Sequence, residues 1–237
     1  MSQQQQQQQR PLTAPSDPSA PRLGSTLTPS ASNPLPPPPS TTTTTTTPSE
    51  PIKDSTFTPP TPQWLTGTWH VTHSTLPMWK TKRNVKITYK PLEPSKSGAH
   101  RLDDTVTYQT LTSPTLKTVR GIDTSAPPRG GPPDENTGAW NWRGKGWLAI
   151  ASSHWAVLAW ADGKEGDGVG VRGEEWAVTY FMKTLFTPAG IDIYSRMRDG
   201  LSVGTMEKIR FALKEVPDET VRRLAGELFE VKRDDGK

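Results

Sequence analysis

Nine tryptophans stand between Trp64 and Trp176, and no others occur in the 237 residues. Tryptophan is a demanding filler, because its indole N–H needs a partner when it is buried. The concentration therefore predicts an aromatic lumen that stacks on a flat or polyene-like apolar ligand. Simple filling of a small interior is the competing account. The residues assigned to the lumen are His73, Tyr89, Tyr108, Trp140, Trp142, Trp155, Trp176 and Tyr180. Within that set, His73, Tyr108 and Tyr180 are the groups able to give a proton or a hydrogen bond to a bound molecule.

Other chemistries find less support. His70 and His73 are three residues apart on a strand, so they point to opposite faces, and no acidic ligand sits at useful spacing beside them. No metal site is assigned. A single axial histidine suffices for haem, which leaves His73 and His154 as candidates for that role. No Gly-x-Ser-x-Gly, phosphate-binding glycine loop or zinc-protease helix occurs. Gly166-Asp167-Gly168-Val169-Gly170 lacks a strand-to-helix setting and reads as a loop. Asp103 and Asp104 read as a turn at the head of a strand, with no acid–base pair assigned.

The elements that must position these groups are mainly strands. From Trp64 onward apolar residues alternate with polar ones, and turn residues recur at short intervals. Strands are expected at 67–74, 83–90, 104–111 and 116–123, and two or three more between Ala139 and Ala161. Trp147-Leu148-Ala149-Ile150-Ala151 belongs to that apolar run. A hairpin of 175–184 and 191–196 follows. Parity groups Trp69 with Val71 and His73, Trp140 with Trp142, Trp155 with Val157 and Ala159, and Trp176 with Val178, Tyr180 and Met182. Eight or nine sequential strands joined by short turns predict an up-and-down antiparallel β-barrel, mainly β in class, with room for one small ligand. Two C-terminal helices follow, at 205–216 and 219–231, the second capped by Asp218.

Composition divides the chain into a low-complexity tail (1–60), a barrel (61–198) and a helical extension packed on it (199–237). The tail holds runs of glutamine (3–9), proline (36–39) and threonine (41–47) and almost no large apolar residue, so it is expected to be disordered. Protein partners recruited by that tail, with the barrel as a plain scaffold, are a third functional reading. The net charge of +4 is spread without a dense basic block, which argues against nucleic acid. With no cysteine, no apolar leader and no membrane-length apolar run, the expected address is cytoplasmic, the nucleus included as an alternative.

Gly67-Thr68-Trp69, leading straight into an alternating strand and answered by a late arginine (Arg196 or Arg198), resembles the entry motif of the lipocalins and of the wider calycin superfamily. The second lipocalin motif, a threonine-aspartate-tyrosine turn, is not evident. The resemblance implies that Gly67 and Trp69 are structural, with Arg196 packed across the tryptophan at a closed barrel end. It further implies binding of a small hydrophobic molecule, or a cofactor-free isomerase or cyclase using the same lumen.

Overall fold

Gly67 sets the first strand. Its φ of +94° lies in the left-handed region that side chains disfavour. A Cβ there would sit 3.1 Å from a guanidinium nitrogen of Arg196. The chain turns at this point out of a four-residue helix, α1 (Pro62–Leu65), into β1 (Gly67–Ser74). The computed structural model describes residues 57–127, 131, 132, 134–164, 173–185 and 187–234. The expected disorder of the tail up to residue 56 and the Gly166–Gly170 loop both lie outside the described residues.

Seven further strands follow: β2 (Lys82–Leu92), β3 (Arg101–Thr110), β4 (Ser113–Ser125), β5 (Ala139–Gly144), β6 (Ser152–Asp162), β7 (Glu175–Phe181) and β8 (Gly190–Ser195). Each pairs antiparallel with the next, and β1 bonds to both β8 and β2, which closes the cylinder. The fold is an eight-stranded up-and-down antiparallel barrel. Closure removes the exposed strand edges that a flat sheet would leave.

Two helices cover one side, α2 (Val203–Glu215) and α3 (Glu219–Gly226). Ser202 and Asp218 cap them by accepting from the Thr205 and Val221 amides. The second helix stops at Gly226, short of the expected 231, and the chain returns as a short strand, β9 (Phe229–Glu230). That strand pairs with His73 and Ser74, the half of β1 beyond its pairing with β2. The Asn84 amide then donates to Lys232 O at 2.9 Å. The C-terminal segment thus fills the place where β1 and β2 part, and Val231 is buried in the interior.

The barrel therefore has two apolar cores. One is the interior, containing Trp69, Val85, Ile87, Tyr89, Trp140, Trp155 and Tyr194. The other lies between the outer wall of β6–β8 and the helices, and contains Trp176, Val178, Tyr180, Ile193, Ile209, Val221 and Leu224. Burial of each such aliphatic side chain stabilises the fold by about 1.5–3 kcal/mol.

Three sequence expectations fail on local geometry. The Trp147–Ala151 segment is not a strand: a 3₁₀ turn spans Gly146–Leu148, with Gly146 at φ +62°, and Trp147 and Ile150 stand in solvent. The β1 register shifts between Val71 and His73. The extra residue there, Thr72, reverses the parity of the rest of the strand, so Ser74 points inward and His73 outward. A second shift, between Val157 and Ala159, breaks the expected grouping, and Ala159 packs in the helix-side core.

Candidate functional site

The interior brings aromatic rings together, packed on one another. Trp155 is central: it stacks on Tyr89 (ring centres 5.8 Å apart), Trp140 (5.9 Å) and Phe181 (6.3 Å). Trp142 packs against the same cluster, and Tyr108 meets Trp79 edge-on at 6.0 Å. Tyr89, Tyr108, Trp140, Trp142 and Trp155 therefore share the lumen.

Trp176, Tyr180 and His73 do not. Trp176 and Tyr180 keep their expected parity with Val178, but the face they share looks outward, beneath the helices. Both faces of β7 are buried, so alternation alone does not tell inside from outside. His73 pairs with Glu230 and Ile193 on the outer wall. Burial, reinforced by Arg210, lowers its pKa to about 4, against a smaller opposing pull from Glu230. His154 is exposed on the outside of β6. Neither histidine that could have served as an axial haem ligand faces the interior. Among the described residues, no cluster of three metal-ligating side chains is present.

Instead of an imidazole, the interior holds carboxylates: Asp104, expected in a turn at the head of a strand, lies within β3, and Asp123 and Asp192 carry no role in the sequence reading. Asp104, Asp123 and Asp192 are 6 %, 0 % and 1 % exposed, and no described lysine, arginine or histidine is buried with them. Asp104 lies opposite Tyr89 on β2 and opposite Gly121 on β4, while Asp123 lies opposite Trp142 on β5. Asp104 and Asp123 are thus same-face diagonal neighbours, with Cα atoms about 7–8 Å apart.

Two indoles hold this pair. Trp155 Nε1 donates to Asp123 Oδ1 at 2.8 Å. The Trp142 indole reaches toward Asp104 across the backbone of β4 and favours its charged form. It reaches that far because Gly121 leaves the space open: a Cβ there would lie 2.1 Å from Trp142 Nε1. The second oxygen of each carboxylate, Asp104 Oδ1 and Asp123 Oδ2, is buried without a hydrogen-bond partner, as are Trp140 Nε1 and the Tyr194 hydroxyl. Burial raises both carboxyl pKa values, with Asp104 pushed further by the charge of Asp123, and Asp123 brought to about 7. Burial likewise raises the phenols of Tyr89 and Tyr194, each of which also feels the charge of Asp104.

Asp192 is different. Ser74 Oγ donates to its Oδ1 at 2.5 Å and Trp79 Nε1 to its Oδ2 at 3.3 Å. With both oxygens satisfied, it ties the crossing segment Pro77–Thr81 to β8, and its role is architectural.

The two ends of the barrel differ. One is plugged by α1: Trp69 Nε1 donates to Leu65 O at 2.8 Å, and Arg196 caps the Trp69 ring. Residues 57–60 add to this end, where Trp160 Nε1 donates to Thr58 O at 2.8 Å. The other end carries the connections β1–β2, β3–β4, β5–β6 and β7–β8. Each exposes large apolar side chains: Met78, Leu111, Trp147 with Ile150, and Leu185.

Strand order, closure and the Trp69–Arg196 cap make an eight-stranded antiparallel barrel that resembles the lipocalin-like barrels. No family model matches the chain. A curated protein of Botryotinia fuckeliana (strain B05.10), "Botcinic acid biosynthesis cluster B protein 12", is 28% identical over 190 residues, which span 78% of this chain and 80% of that protein. Among solved structures, apocrustacyanin C1 aligns over 73% of this chain and 79% of its own, at 14% identity and a TM-score of 0.47. The siderocalin Ex-FABP aligns over 73% of this chain and 95% of its own, at 13% identity and a TM-score of 0.43.

Proposed function

We propose that the barrel binds a small, largely apolar molecule bearing at least one polar group, held among Tyr89, Tyr108, Trp140, Trp142 and Trp155. The observation that carries this is the gathering of unpartnered polar atoms in one aromatic compartment: Asp104 Oδ1, Asp123 Oδ2, Trp140 Nε1 and the Tyr194 hydroxyl. A buried polar group left unpaired costs about 1–3 kcal/mol. Several in one place are explained by a guest that supplies the missing partners. The apolar side chains exposed at the end away from α1 suit the entry of such a guest. The name of the Botryotinia fuckeliana protein places it in a botcinic acid biosynthesis cluster, and we extend a role in small-molecule biosynthesis to this chain. A cytoplasmic setting accords with its lack of cysteine.

Native mass spectrometry of the full chain purified from its own host tests this reading. A stoichiometric small molecule is expected, with quenching of tryptophan fluorescence when it is added back to the emptied protein. An empty protein whose fluorescence responds to no apolar ligand would overturn the proposal.

A further inference from the structure

We propose that Asp104 and Asp123 form a proton-transfer pair, and that the barrel is a cofactor-free isomerase for apolar carbonyl compounds with an acidic C–H next to the carbonyl. This rests on the binding reading above and adds a reaction to it.

The pair is built from opposite strands of one hairpin, with Asp104 on β3 and Asp123 on β4, on one face. Asp123 is aimed by the Trp155 indole N–H and Asp104 lies beside the Trp142 indole, and each carboxyl has one oxygen buried and unpartnered. A carboxylate that only braces the fold is expected to use both oxygens, as Asp192 does with Ser74 and Trp79. Two further groups at least 99 % buried, Trp140 Nε1 and the Tyr194 hydroxyl, also lack partners. Tyr194 lies close enough to feel the charge of Asp104, and Tyr89 that of both carboxylates. The site thus offers two carboxyl oxygens together with neutral N–H and O–H donors. Donors of that kind suit an oxygen that gains negative charge.

Two carboxyl groups this close, in surroundings without a buried cation, hold one proton between them more readily than none. Burial is the larger cause for each, and the two titrate as a pair that shares one proton; the step is written with Asp104 as the acid and Asp123 as the base. Asp123 Oδ2 takes the proton from the carbon beside the carbonyl. The C–H electron pair becomes the new C=C bond, and the carbonyl π pair takes the proton from Asp104 Oδ1. The result is an enol, an ionised Asp104 and a protonated Asp123. Return of the enol proton to Asp104, with delivery of the Asp123 proton to a different carbon of the conjugated system, gives the isomer and restores the pair. No oxidant, reductant or co-reactant is consumed. Positioned acid–base groups of this kind are worth about 10²–10⁴-fold in rate.

The test uses 2-tetralone, a flat apolar ketone, with the full-length chain in D2O. Binding is read from tryptophan fluorescence, and deuterium uptake beside the carbonyl from mass spectrometry. Wild type is expected to bind it and to accelerate exchange over buffer. Asp104→Asn and Asp123→Asn keep the shape and the indole hydrogen bond. Compared at saturating ketone, so that any change in affinity is read apart from the rate, they are expected to lose about 10²-fold or more of the acceleration. The wild-type profile against pH should be bell-shaped, failing at low pH when Asp123 is protonated and at high pH when Asp104 is ionised. The charged or titratable groups facing the pair are Tyr89 on β2, Tyr194 and Asp192 on β8, and Asp103 beside Asp104. Binding without accelerated exchange, or exchange that survives both substitutions, overturns the isomerase and leaves the binding reading standing. Absence of 2-tetralone binding overturns the isomerase, and the binding reading falls with it only if the protein also arrives empty and answers to no apolar ligand.

Discussion

The guanidinium carbon of Arg196 lies 3.5 Å from the ring centre of Trp69. The same guanidinium donates to three backbone carbonyls: Trp64 O at 2.5 Å, Thr66 O at 2.7 Å and Thr68 O at 3.2 Å. One side chain thereby fixes the helical plug, the Gly67 kink and the first strand. Replacing it by alanine would leave carbonyls unpaired and one indole face uncovered. Arg196→Ala is expected to lower stability by about 2–4 kcal/mol, measured by urea denaturation. Arg196→Lys should recover little, because an ammonium cannot reproduce the planar fork.

Gly121→Ala tests the passage under Trp142. The added methyl would meet Trp142 Nε1 at 2.1 Å and Arg143 O at 2.8 Å. The indole must move, and the donor to Asp104 moves with it. A loss of about 1–3 kcal/mol is expected, with a change in near-ultraviolet circular dichroism from the displaced ring. An unchanged spectrum and stability would show that the indole does not cross β4 as described.

Stability should fall as pH rises through neutrality. Asp123 has a folded pKa raised from 3.8 to about 7, chiefly by burial. Between those values the native state binds more protons than the unfolded chain, so its stability is greatest below about pH 4 on this account and is lost toward pH 7. Asp123→Asn removes the penalty of ionisation. The variant is expected to match wild type near pH 4 and to exceed it by a few kcal/mol at pH 8. His73 acts in the opposite sense. Its folded pKa lies near 4 against 6.5, so its share is present above pH 6.5 and is lost as pH drops toward 4. Parallel wild-type and variant curves of unfolding free energy against pH would refute the Asp123 assignment.

Trp147, Ile150 and Leu185 are 86 %, 84 % and 90 % exposed at the end of the barrel away from α1. Their replacement by serine should leave unfolding within about 0.5 kcal/mol of wild type. Association of apolar ligands, followed by stopped-flow tryptophan quenching, should slow. An unaltered association rate would remove the rim from the entry route.

Much of the architecture was legible because β1 to β8 alternate and turn at short intervals, and because Gly67-Thr68-Trp69 marks the plugged end. The features that escaped have identifiable causes. The bulge at Thr72 carries no signature of its own, yet it reverses the orientation of His73. Trp176 and Tyr180 sit on a strand buried on both sides, so their shared face was readable but its direction was not. Asp104 and Asp123 were hidden because an aspartate in an alternating strand is normally assigned to solvent. Their clue was partnership in space: each stands across the sheet from an aromatic residue, Tyr89 or Trp142, that points inward. That pairing depends on register, which one strand alone does not reveal.

The C-terminal strand has a consequence for how the molecule comes to exist. β9 and Lys232 occupy the gap between β1 and β2, and Arg83 Nη1 donates to Asp234 Oδ1 at 2.9 Å. Strands made early in synthesis are therefore completed by residues made more than 140 positions later. Until those residues emerge, part of the β1 edge stays open to chance partners. Such distant pairings are slow to form. The wall seals last, so the interval between translation of β1 and arrival of Asp234 is when a helper chaperone has most to protect.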